Sequence, residues 1–339
     1  MRTLTVLLLA LALAAAAFCA GTLDIYFIDV EGGQATLIVS PSGESMLVDA
    51  GWAGFGGRDA DRILAAARSA GIRRIDYMLL THYHADHVGG IPALADRIPI
   101  IHFVDHGQNT ETGNARTASL AAAYYTVRAR GDHIIVKPGD TIPIRGLNVN
   151  VVSARGAVLK SPLPGAGRKN PLCASTPRKE PDTGENGKSI GFLLTYGKFR
   201  FVDLGDLTWN IELGLVCPVN KLGQVDVYLT SHHGIRRSGS PALVHALNPR
   251  VAVMNNGARK GGSPEAWQTV RTSPRLKSFW QLHYTVAAGE KANVADTYIA
   301  NLSEDCRGYG IKLSARPDGS FTVLNQRNGY RESYPPADQ

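Results

Sequence analysis

Alternating hydrophobic and polar positions organise the first half of the chain into short strands and helices. Runs rich in Ile, Val, Leu, Tyr and Phe predict strands at 23–30, 34–40, 45–49, 74–80 and 99–105. A helical hydrophobic period over 59–70, closed by Gly71, predicts a helix before the fourth of these strands. An Ala-rich helix over about 115–130 follows, and then strands at 133–137, 141–144 and 147–153.

The second half of the chain partly repeats the first. Strands are predicted at 189–196, 198–203 and 225–231. The segment MLVDAG at 46–51 parallels RFVDLG at 200–205, and IDYMLLTHYH at 75–84 parallels VDVYLTSHHG at 225–234, which aligns His82 with His232. Two copies of a strand, helix and strand unit, each ending in histidines, predict a pseudo-symmetric body of two sheets with one site between them.

Residues 154–188 interrupt the strand pattern. The segment holds five Pro and five Gly, and its seven Lys and Arg outnumber its three Asp and Glu. A long stretch without periodicity inside a compact domain is usually functional or mobile. We therefore interpret it as a basic loop insertion, either a lid over an anionic substrate or a solvated loop.

The composition is typical of a globular protein. Of the 339 residues, 44% are hydrophobic and 19% are charged, which excludes a disordered chain. No Gly-x-y period or low-complexity block occurs, which excludes a collagen-like or linker-dominated protein. The formal net charge of +7 favours anionic partners only weakly, because a modest positive balance is common on solvated surfaces.

The N-terminal residues resemble an export signal. Residues 4–20 form an apolar and small-residue run behind Arg2, which predicts a signal peptide over 1–20, with an uncleaved anchor as the alternative. No second long apolar run follows, so residues 21–339 are expected to form one domain without a membrane span, periplasmic or secreted. The cysteines Cys173, Cys217 and Cys306 then allow at most one disulfide, whose pairing is open.

The sequence THYHADHVGG at 81–90 carries the strongest chemical signal. Its His82, His84, Asp86 and His87 supply imidazole nitrogens and a carboxylate, which suit zinc or a similar divalent metal. His82 and His84 are spaced to point the same way along an extended turn, while Asp86 and His87 begin the next helix and reach a second position. Solvated loop histidines are the alternative, but chance rarely produces this spacing.

Two further polar groups follow predicted strands in the same way. Asp206 comes after the strand at 198–203, and His232 and His233 come after the strand at 225–231. Open α/β sheets place their functional sites beyond the carboxyl ends of strands. We therefore expect one pocket to collect these side chains together with the histidine motif.

The HxHxDH motif, followed by VDLGD and SHHG, resembles the metallo-β-lactamase superfamily of hydrolases. The opening IYFIDVEGGQATLIV and the later LGD and HHG resemble more closely the branch formed by the nuclease-like domain of the ComEC competence proteins and the choline-phosphate esterases. The resemblance runs from about Leu23 to about Leu282. It implies an α/β fold, an αββα sandwich of two mixed sheets flanked by helices, with two divalent metals, a bridging hydroxide and hydrolytic activity.

The resemblance also implies a role for each residue of the first motif. His82 and His84 match ligands of the first metal, and Asp86 and His87 match ligands of the second. Asp206 matches the carboxylate that bridges both metals. Asp86 is also expected to act catalytically, by orienting the metal-bound hydroxide or taking up its proton.

The histidine pair is assigned less completely by the resemblance. We favour His233 as the ligand that completes the second metal and His232 as a catalytic residue beside the substrate or its leaving group, with the reverse order as the alternative. Many members bring a further histidine after a Gly-His turn before the bridging aspartate, and this sequence has NVVSARG there. His106 could substitute for this ligand, and a strand-end histidine bonded to backbone is the alternative.

Other residues near these motifs suggest supporting roles. Arg236 and Arg237, with Ser238, could bind a substrate phosphate through charge-assisted hydrogen bonds; a solvated basic turn is the alternative. Asp29 and Asp49 end strands and could hold ligand histidines, or they could simply form turns.

These observations predict an exported hydrolase that uses a metal-bound hydroxide and two divalent metal ions, zinc or else manganese. A small-molecule or phosphate-bearing substrate is expected, a phosphodiester or nucleic-acid-like one in particular. The alternatives are a β-lactam or lactone hydrolase and a catalytically silent binding module of the same fold. The oligomeric state is not indicated by the sequence.

Overall fold

The computed structural model of the protein describes residues 21–337. The predicted signal peptide over 1–20 lies outside the described residues. Within the described part, none of the helices has the length and apolar character needed to cross a bilayer. These residues form two β-sheets that pack face to face, with helices on both outer faces.

The first sheet combines strands from both ends of the described chain. Its strands are β1 (Leu23–Phe27), β2 (Thr36–Val39), β3 (Ser45–Val48), β4 (Ile75–Leu79), β5 (Ile100–Asp105), β6 (Asp132–Ile135), β16 (Ile311–Ala315), β17 (Phe321–Asn325) and β18 (Arg331–Tyr334). They lie in the order β18-β17-β16-β1-β2-β3-β4-β5-β6. The sheet is mixed, because the neighbours from β3 to β6 are parallel and the others are antiparallel.

The second sheet is built from the middle of the chain. Its strands are β7 (Thr141–Ile142), β8 (Asn148–Ala154), β9 (Ala157–Val158), β10 (Gly191–Tyr196), β11 (Phe199–Asp203), β12 (Val227–Leu229), β13 (Val251–Met254), β14 (Ser278–His283) and β15 (Ile299–Asn301). Their order is β15-β14-β13-β12-β11-β10-β8-β7, with β9 paired to β8. The neighbours from β11 to β15 are parallel and the others are antiparallel, so this sheet is mixed as well.

The helices divide between the two outer faces. In residues 21–337 they are α1 (Arg58–Ser69), α2 (Ala85–Val88), α3 (Ile91–Ala95), α4 (Ala115–Arg128), α5 (Trp209–Val216), α6 (Pro241–Leu247) and α7 (Pro264–Arg271). The apolar side chains of α1 to α4 are buried with the first sheet. Those of α5 to α7 are buried with the second sheet.

The alternation of side chains along the strands produces three apolar layers. Leu23, Ile25 and Phe27 of β1 point into the core between the sheets, where they meet Phe201 of β11 and its neighbours. Tyr26, which lies between them in sequence, points to the helices on the other face. Successive side chains of a strand point to opposite faces, so both faces of the sheets are buried by apolar side chains. The layers confirm the predicted αββα sandwich of two mixed sheets.

The sequence repeat places one copy in each sheet. The first copy supplies the parallel pair β3 and β4, and the second copy supplies the parallel pair β11 and β12. In the first, Asp76 accepts a hydrogen bond from the main-chain N of Ser45 at 2.9 Å; in the second, Asp226 accepts one from the main-chain N of Arg200 at 3.0 Å. Arg200 aligns with Met46 rather than with Ser45, so the two copies differ by one residue in register.

The basic insertion at 154–188 is packed against the second sheet. A disulfide joins Cys173 to Cys217, and Cys306 is a free thiol. The Asn170 side chain donates hydrogen bonds to the main-chain oxygens of Val216 and Ala242. Because a disulfide that closes a loop of sequence separation 44 contributes up to about 4 kcal/mol, the middle of the insertion is a fixed part of the domain.

Candidate metal centre

The loops that follow β4, β11 and β12 meet at the edge between the two sheets. The main-chain N of His232, after β12, donates to the oxygen of Gly205, after β11, at 2.9 Å. Gly205 has a positive φ of 54°, and a Cβ atom there would lie 3.0 Å from the side chain of Thr81, after β4. A glycine at this position therefore allows the loops of both sheets to approach closely.

Four side chains at this edge form a compact group that we call the inner group: Asp86, His87, Asp206 and His233. His87 Nε2 lies 3.3 Å from both Asp86 Oδ2 and Asp206 Oδ1. His233 Nε2 lies 3.2 Å from Asp86 Oδ2, 3.3 Å from Asp206 Oδ1 and 3.2 Å from His87 Nε2. Ligands of a tetrahedral zinc ion, at about 2.0–2.1 Å from the metal, lie about 3.3 Å apart. The inner group thus has the spacing of a tetrahedral zinc site.

Three more histidines form the outer group: two of them face the other carboxylate oxygen of Asp206, and the third, His84, lies against one of these two. His232 Nε2 lies 3.3 Å and His82 Nε2 lies 3.8 Å from Asp206 Oδ2. His84 Nδ1 lies 3.1 Å from His82 Nε2. The two oxygens of Asp206 therefore each face one group, as a carboxylate that bridges two metals would.

An unusual turn brings the adjacent residues His232 and His233 to the same centre. Both have a positive φ of 55°, which is uncommon for residues other than glycine. Along a strand, neighbouring side chains point to opposite faces. The left-handed turn instead directs His233 into the inner group and His232 into the outer group. Both histidines, and not one of them, thus reach Asp206.

The second ring nitrogen of each histidine is also held in place. This nitrogen is paired as His82 Nδ1 with Thr81 Oγ1 (3.1 Å), His84 Nε2 with Glu111 Oε2 (3.3 Å), His87 Nδ1 with Asp49 Oδ2 (2.6 Å), His232 Nδ1 with Ser238 Oγ (3.1 Å) and His233 Nδ1 with the Asn255 main-chain oxygen (3.3 Å). Such partners fix the tautomer and orientation of metal-ligating histidines. Each ring therefore presents its remaining nitrogen to the centre.

The charge states of the centre also suit a cation. Burial opposes ionisation of Asp206, but His232, His233 and His87 hold its pKa well below the ordinary value. Burial lowers the pKa of His232 to about 4, although Asp206 opposes this shift. Burial likewise holds the pKa of His82 well below the ordinary value. Burial lowers the pKa of His87, but Asp206, Asp86 and Asp49 outweigh this and raise it well above the ordinary value, so a metal bound there would displace a proton from His87, because ionised carboxylates and neutral imidazoles are the forms that bind metals.

Asp206 shows most directly that the centre fits a divalent metal. Its Oδ1 atom is buried, and no hydrogen-bond donor in residues 21–337 reaches it with suitable geometry, although two histidine nitrogens lie 3.3 Å away. A buried carboxylate oxygen without a donor is costly unless a cation binds it. Nitrogen and carboxylate ligands in this arrangement are suited to zinc.

Lys260 is a further member of the site that we did not predict. Its Nζ contacts Asp86 Oδ2 and lies 4.8 Å from the centre of the Trp52 ring. The lysine sits in a loop after β13 that contains Gly257, Gly261 and Gly262. No spacing relative to the histidine motif points to it, because 174 residues separate it from Asp86.

Two residues that we considered from the sequence lie outside both groups. His106 Nε2 is 3.1 Å from Glu185 Oε2, and the ring packs edge-on against Tyr83, so it takes no ligand position. Asp29 accepts hydrogen bonds from His283 Nε2 at 2.7 Å and from Arg62 at 2.8 Å. Asp49 does hold a histidine of the centre, whereas Asp29 forms a separate buried ion-pair cluster.

Ser238 also differs from our expectation of a phosphate-binding residue. It is buried, and its hydroxyl pairs with the Nδ1 atom of His232 at 3.1 Å. Arg236 and Arg237, which precede it, are exposed. Ser238 therefore orients a histidine of the centre, whereas Arg236 and Arg237 are accessible to a substrate.

The substitution Asp49→Asn is expected to weaken metal binding without unfolding the protein. The Asp49 carboxylate also accepts hydrogen bonds from the Thr81 main-chain N (2.8 Å) and hydroxyl (2.6 Å). Asparagine keeps the size but loses the charge that orients His87, and changes of such partners lower metal affinity about 10- to 100-fold. A competition titration against a zinc chelator measures the change. Unaltered affinity would show that Asp49 is only a turn residue.

The substitution His283→Gln is expected to destabilise the protein below about pH 6.5 and to have little effect near pH 10. Burial lowers the pKa of His283, but the hydrogen bond and charge of Asp29 raise it to about 9, above the ordinary 6.5. The charged form therefore stabilises the fold fully below about pH 6.5, and this contribution, about 3 kcal/mol, is lost as the pH rises through about 9. Thermal unfolding from pH 6 to pH 10 tests this, and a constant difference between variant and wild type would contradict it.

Comparisons with known proteins agree with the geometry. Residues 28–156 match the family described as Metallo-beta-lactamase superfamily. Recombination protein 2 of Haemophilus influenzae is 24% identical over 285 residues, which cover 84% of this chain and 29% of that protein. Hydroxyacylglutathione hydrolase of Stenotrophomonas maltophilia is 40% identical over 63 residues (19% of this chain, 21% of that one). Ribonuclease Z of Methanopyrus kandleri is 28% identical over 122 residues (36% and 40%).

The aligned part of this chain thus spans less than half the length of each of these relatives. The superfamily match includes His82, His84, Asp86 and His87, and the alignment with Recombination protein 2 extends over most of the chain. Both agree with the resemblance stated from the motifs, to the superfamily and to its ComEC-like branch. Residues 28–156, which hold the first histidine motif, therefore match a metallo-β-lactamase domain.

Proposed function

We propose that this protein is an exported two-metal hydrolase that cleaves phosphodiester bonds. The inner group supports the metal dependence most strongly, because the measured distances among its nitrogens and oxygens are 3.2–3.3 Å. The preference for phosphodiesters rests on the basic residues beside the centre.

In this proposal, the inner group holds one divalent metal and the outer group holds the other. Asp206, with one oxygen in each group, is shared by both. A bound divalent metal lowers the pKa of a coordinated water toward ~7 and thereby supplies a nucleophile at neutral pH. Within residues 21–337, no serine or cysteine belongs to the inner group, which consists of two histidines and two aspartates.

The chain's own residues position charge around the reacting atoms. Asp86 is kept ionised, because His87, His233 and Lys260 outweigh the effect of burial and hold its pKa well below the ordinary value. It can therefore accept a hydrogen bond from the attacking water and orient it, while its low pKa makes it a weak proton acceptor. The Lys260 ammonium, beside Asp86, favours an anionic oxygen in the same place.

A cavity of about 630 Å³ is lined by residues that follow Asp206 and His233 closely in sequence, Thr208 and Arg237 among them. Lys179 and Trp209 also line it, as do two carboxylates, Glu180 and Asp182. Lys179 stands 3.3 Å from the centre of the Trp209 ring and donates to the main-chain oxygen of Arg236. The end of the insertion thus joins the arginine turn at the cavity, where guanidinium groups can bind phosphate.

The double substitution Arg236→Gln and Arg237→Gln is expected to raise KM for a phosphodiester about tenfold. Charge-assisted hydrogen bonds contribute about 1.5–3 kcal/mol each, and the exposure of these side chains to solvent reduces that contribution. Neither side chain contacts a metal-binding histidine, so kcat should change little. The matched control is Arg68→Gln with Arg73→Gln, two exposed arginines far from the cavity. Equal effects of both pairs, or an unchanged KM, would contradict the role.

The proposed export agrees with the disulfide between Cys173 and Cys217. Disulfides persist in oxidising compartments and are rare in the cytosol. We propose that the apolar run at 4–20 directs the chain to such a compartment, periplasmic or extracellular. Cell fractionation with a tagged full-length chain tests this, and retention of the protein in the cytosol would contradict it.

A panel of chromogenic substrates tests the substrate class. We expect the zinc- or manganese-loaded protein to hydrolyse bis(p-nitrophenyl) phosphate faster than a chromogenic cephalosporin, a lactone or p-nitrophenyl acetate. Nucleic acid and phosphocholine esters are the natural classes to try next. A preference for the cephalosporin or the lactone would overturn the phosphodiester assignment while leaving metal dependence intact.

A further inference from the structure

A second large cavity, of about 520 Å³, lies on the second sheet and is lined by basic residues. Its wall is formed by residues 165–172 of the insertion together with residues of the loops before β12 and β14. Arg168, Lys169 and Arg200 line it, and none of its lining residues is an aspartate or a glutamate. The Lys and Arg side chains of the lining therefore face no acidic side chain within the cavity.

This cavity is separate from the metal centre. Arg200 is the second residue of β11, and the metal-binding Asp206 follows the other end of that strand. The extended part of the strand from Arg200 to Asp203 spans about 10 Å. The cavity thus lies at the amino ends of the parallel strands, whereas the metal centre lies at their carboxyl ends.

Arg200 lines the cavity, and Arg275 follows the lining residue Pro274; both are partly buried, and neither forms a salt bridge with a carboxylate in the part of the chain described. The Arg200 guanidinium donates to the main-chain oxygens of Gln224 and Leu222, at 2.9 and 2.6 Å. Arg275 likewise donates to main-chain oxygens, and its NH1 reaches the side chain of Gln224 at 3.3 Å. Burial lowers the pKa of both arginines, against the charge of Asp226.

Asp226 does not neutralise these two arginines. Its Oδ1 is bound by the guanidinium of Arg250 at 3.1 Å, and its Oδ2 accepts from the main-chain N of Arg200 at 3.0 Å. One carboxylate is therefore shared by Arg200, Arg250 and Arg275, of which only Arg200 lines the cavity, together with Arg168 and Lys169. Buried charge without a counterion is costly, so an anion that enters the cavity would be bound favourably.

The insertion holds its basic residues over this cavity. The main-chain oxygen of Arg168 accepts from Asn220 N at 2.8 Å, and Gly167 N donates to Asn220 O at 2.8 Å. Lys169 forms a β-bridge with Val219, and the disulfide follows four residues later at Cys173. Arg168 and Lys169 are thus positioned in advance, at the edge remote from the metals and not as a lid above them.

We propose that this cavity is a second binding site, for a phosphate-bearing small molecule of about nucleotide size. Arginine guanidinium groups match phosphate oxygens in pairs. A volume of about 520 Å³ falls within the usual range for small-ligand sites, roughly 300–1,000 Å³. A free phosphate ion would fill only a small part of it. The site is independent of the proposed hydrolytic function.

Isothermal titration with 5′-AMP tests the proposal. The protein titrated is the mature chain, dialysed free of metal. We expect binding that weakens about tenfold or more in the variant Arg168→Gln with Lys169→Gln, since two charge-assisted contacts are lost. Both side chains are exposed, so the variant should fold, which thermal unfolding verifies. The control variant, Lys137→Gln with Lys160→Gln, removes the same charge from exposed positions outside the cavity and should bind 5′-AMP like the wild type.

Two further titrations identify which part of the ligand is recognised. Adenosine, which lacks phosphate, should bind to neither variant nor wild type. Inorganic phosphate should bind more weakly than 5′-AMP. If phosphate instead binds the wild type as tightly as 5′-AMP does, and this binding is lost in the Arg168 and Lys169 variant, the site is supported with free phosphate as its ligand. Absence of 5′-AMP binding to the wild type, equal losses in both variants, or equal binding of adenosine would overturn the proposal.

Discussion

Replacing Asp206 with alanine is expected to abolish hydrolysis and to leave the protein folded. Each oxygen of this carboxylate faces one group of histidines. Its removal takes a ligand from both proposed metals at once. Metal ions contribute several kcal/mol to transition-state stabilisation, and tenfold in rate corresponds to about 1.4 kcal/mol, so turnover should fall about 10³-fold or more.

The fold should survive the change, because Asp206 lies in a loop beyond β11 and belongs to none of the three apolar clusters. Circular dichroism and metal analysis accompany the rate measurement. The variant Asp206→Asn keeps the side-chain shape and should be nearly as inactive, whereas Asp61→Ala, at an exposed position on α1, should be fully active. Turnover by Asp206→Ala at the wild-type rate would remove Asp206 from the catalytic centre.

The second large effect is expected at the histidine pair, where each residue should control a different metal. His232 belongs to the outer group and His233 to the inner group. Replacing His233 with alanine removes one of four closely spaced ligands, and His232→Ala removes one nitrogen from the looser outer group. We expect each variant to bind about one metal ion with high affinity where the wild type binds two, and to lose most of its turnover.

Cobalt substitution distinguishes the two variants, because the absorption spectrum of Co²⁺ depends on its ligand set. His232→Ala should keep the spectrum of the inner group, and His233→Ala should lose it. His245→Ala, which removes a partly buried histidine outside the centre, serves as the control. Identical spectra and full occupancy in both variants would show that only one of the two histidines, or neither, binds a metal.

Much of this architecture follows from local sequence patterns. The strands β1 to β4 and the helix α1 lie where periodicity predicted them, since alternation and a Gly after the helix are strong local signals. The spacing HxHxDH also indicated a metal centre, because its ligands are close in sequence. The partial repeat showed which later strands would complete the centre.

Other parts of the site depend on contacts between residues far apart in sequence. Glu111 beside His84, Ser238 beside His232 and Lys260 beside Asp86 lie in loops with no distinctive spacing. The double left-handed turn that directs both His232 and His233 inward has no glycine at those two positions to reveal it. The basic insertion gave a charge pattern, but only the disulfide and the main-chain hydrogen bonds show that Arg168 and Lys169 lie away from the metals.

Metal content and hydrolysis, measured on the same sample, test the central claim most directly. The purified mature protein is stripped with a chelator, loaded with zinc or manganese in steps, and assayed with bis(p-nitrophenyl) phosphate at each step. We predict no turnover without metal and full turnover only as the second equivalent binds. Turnover that persists in the stripped protein, or a fully loaded protein that hydrolyses no substrate of the panel, would contradict a two-metal hydrolase.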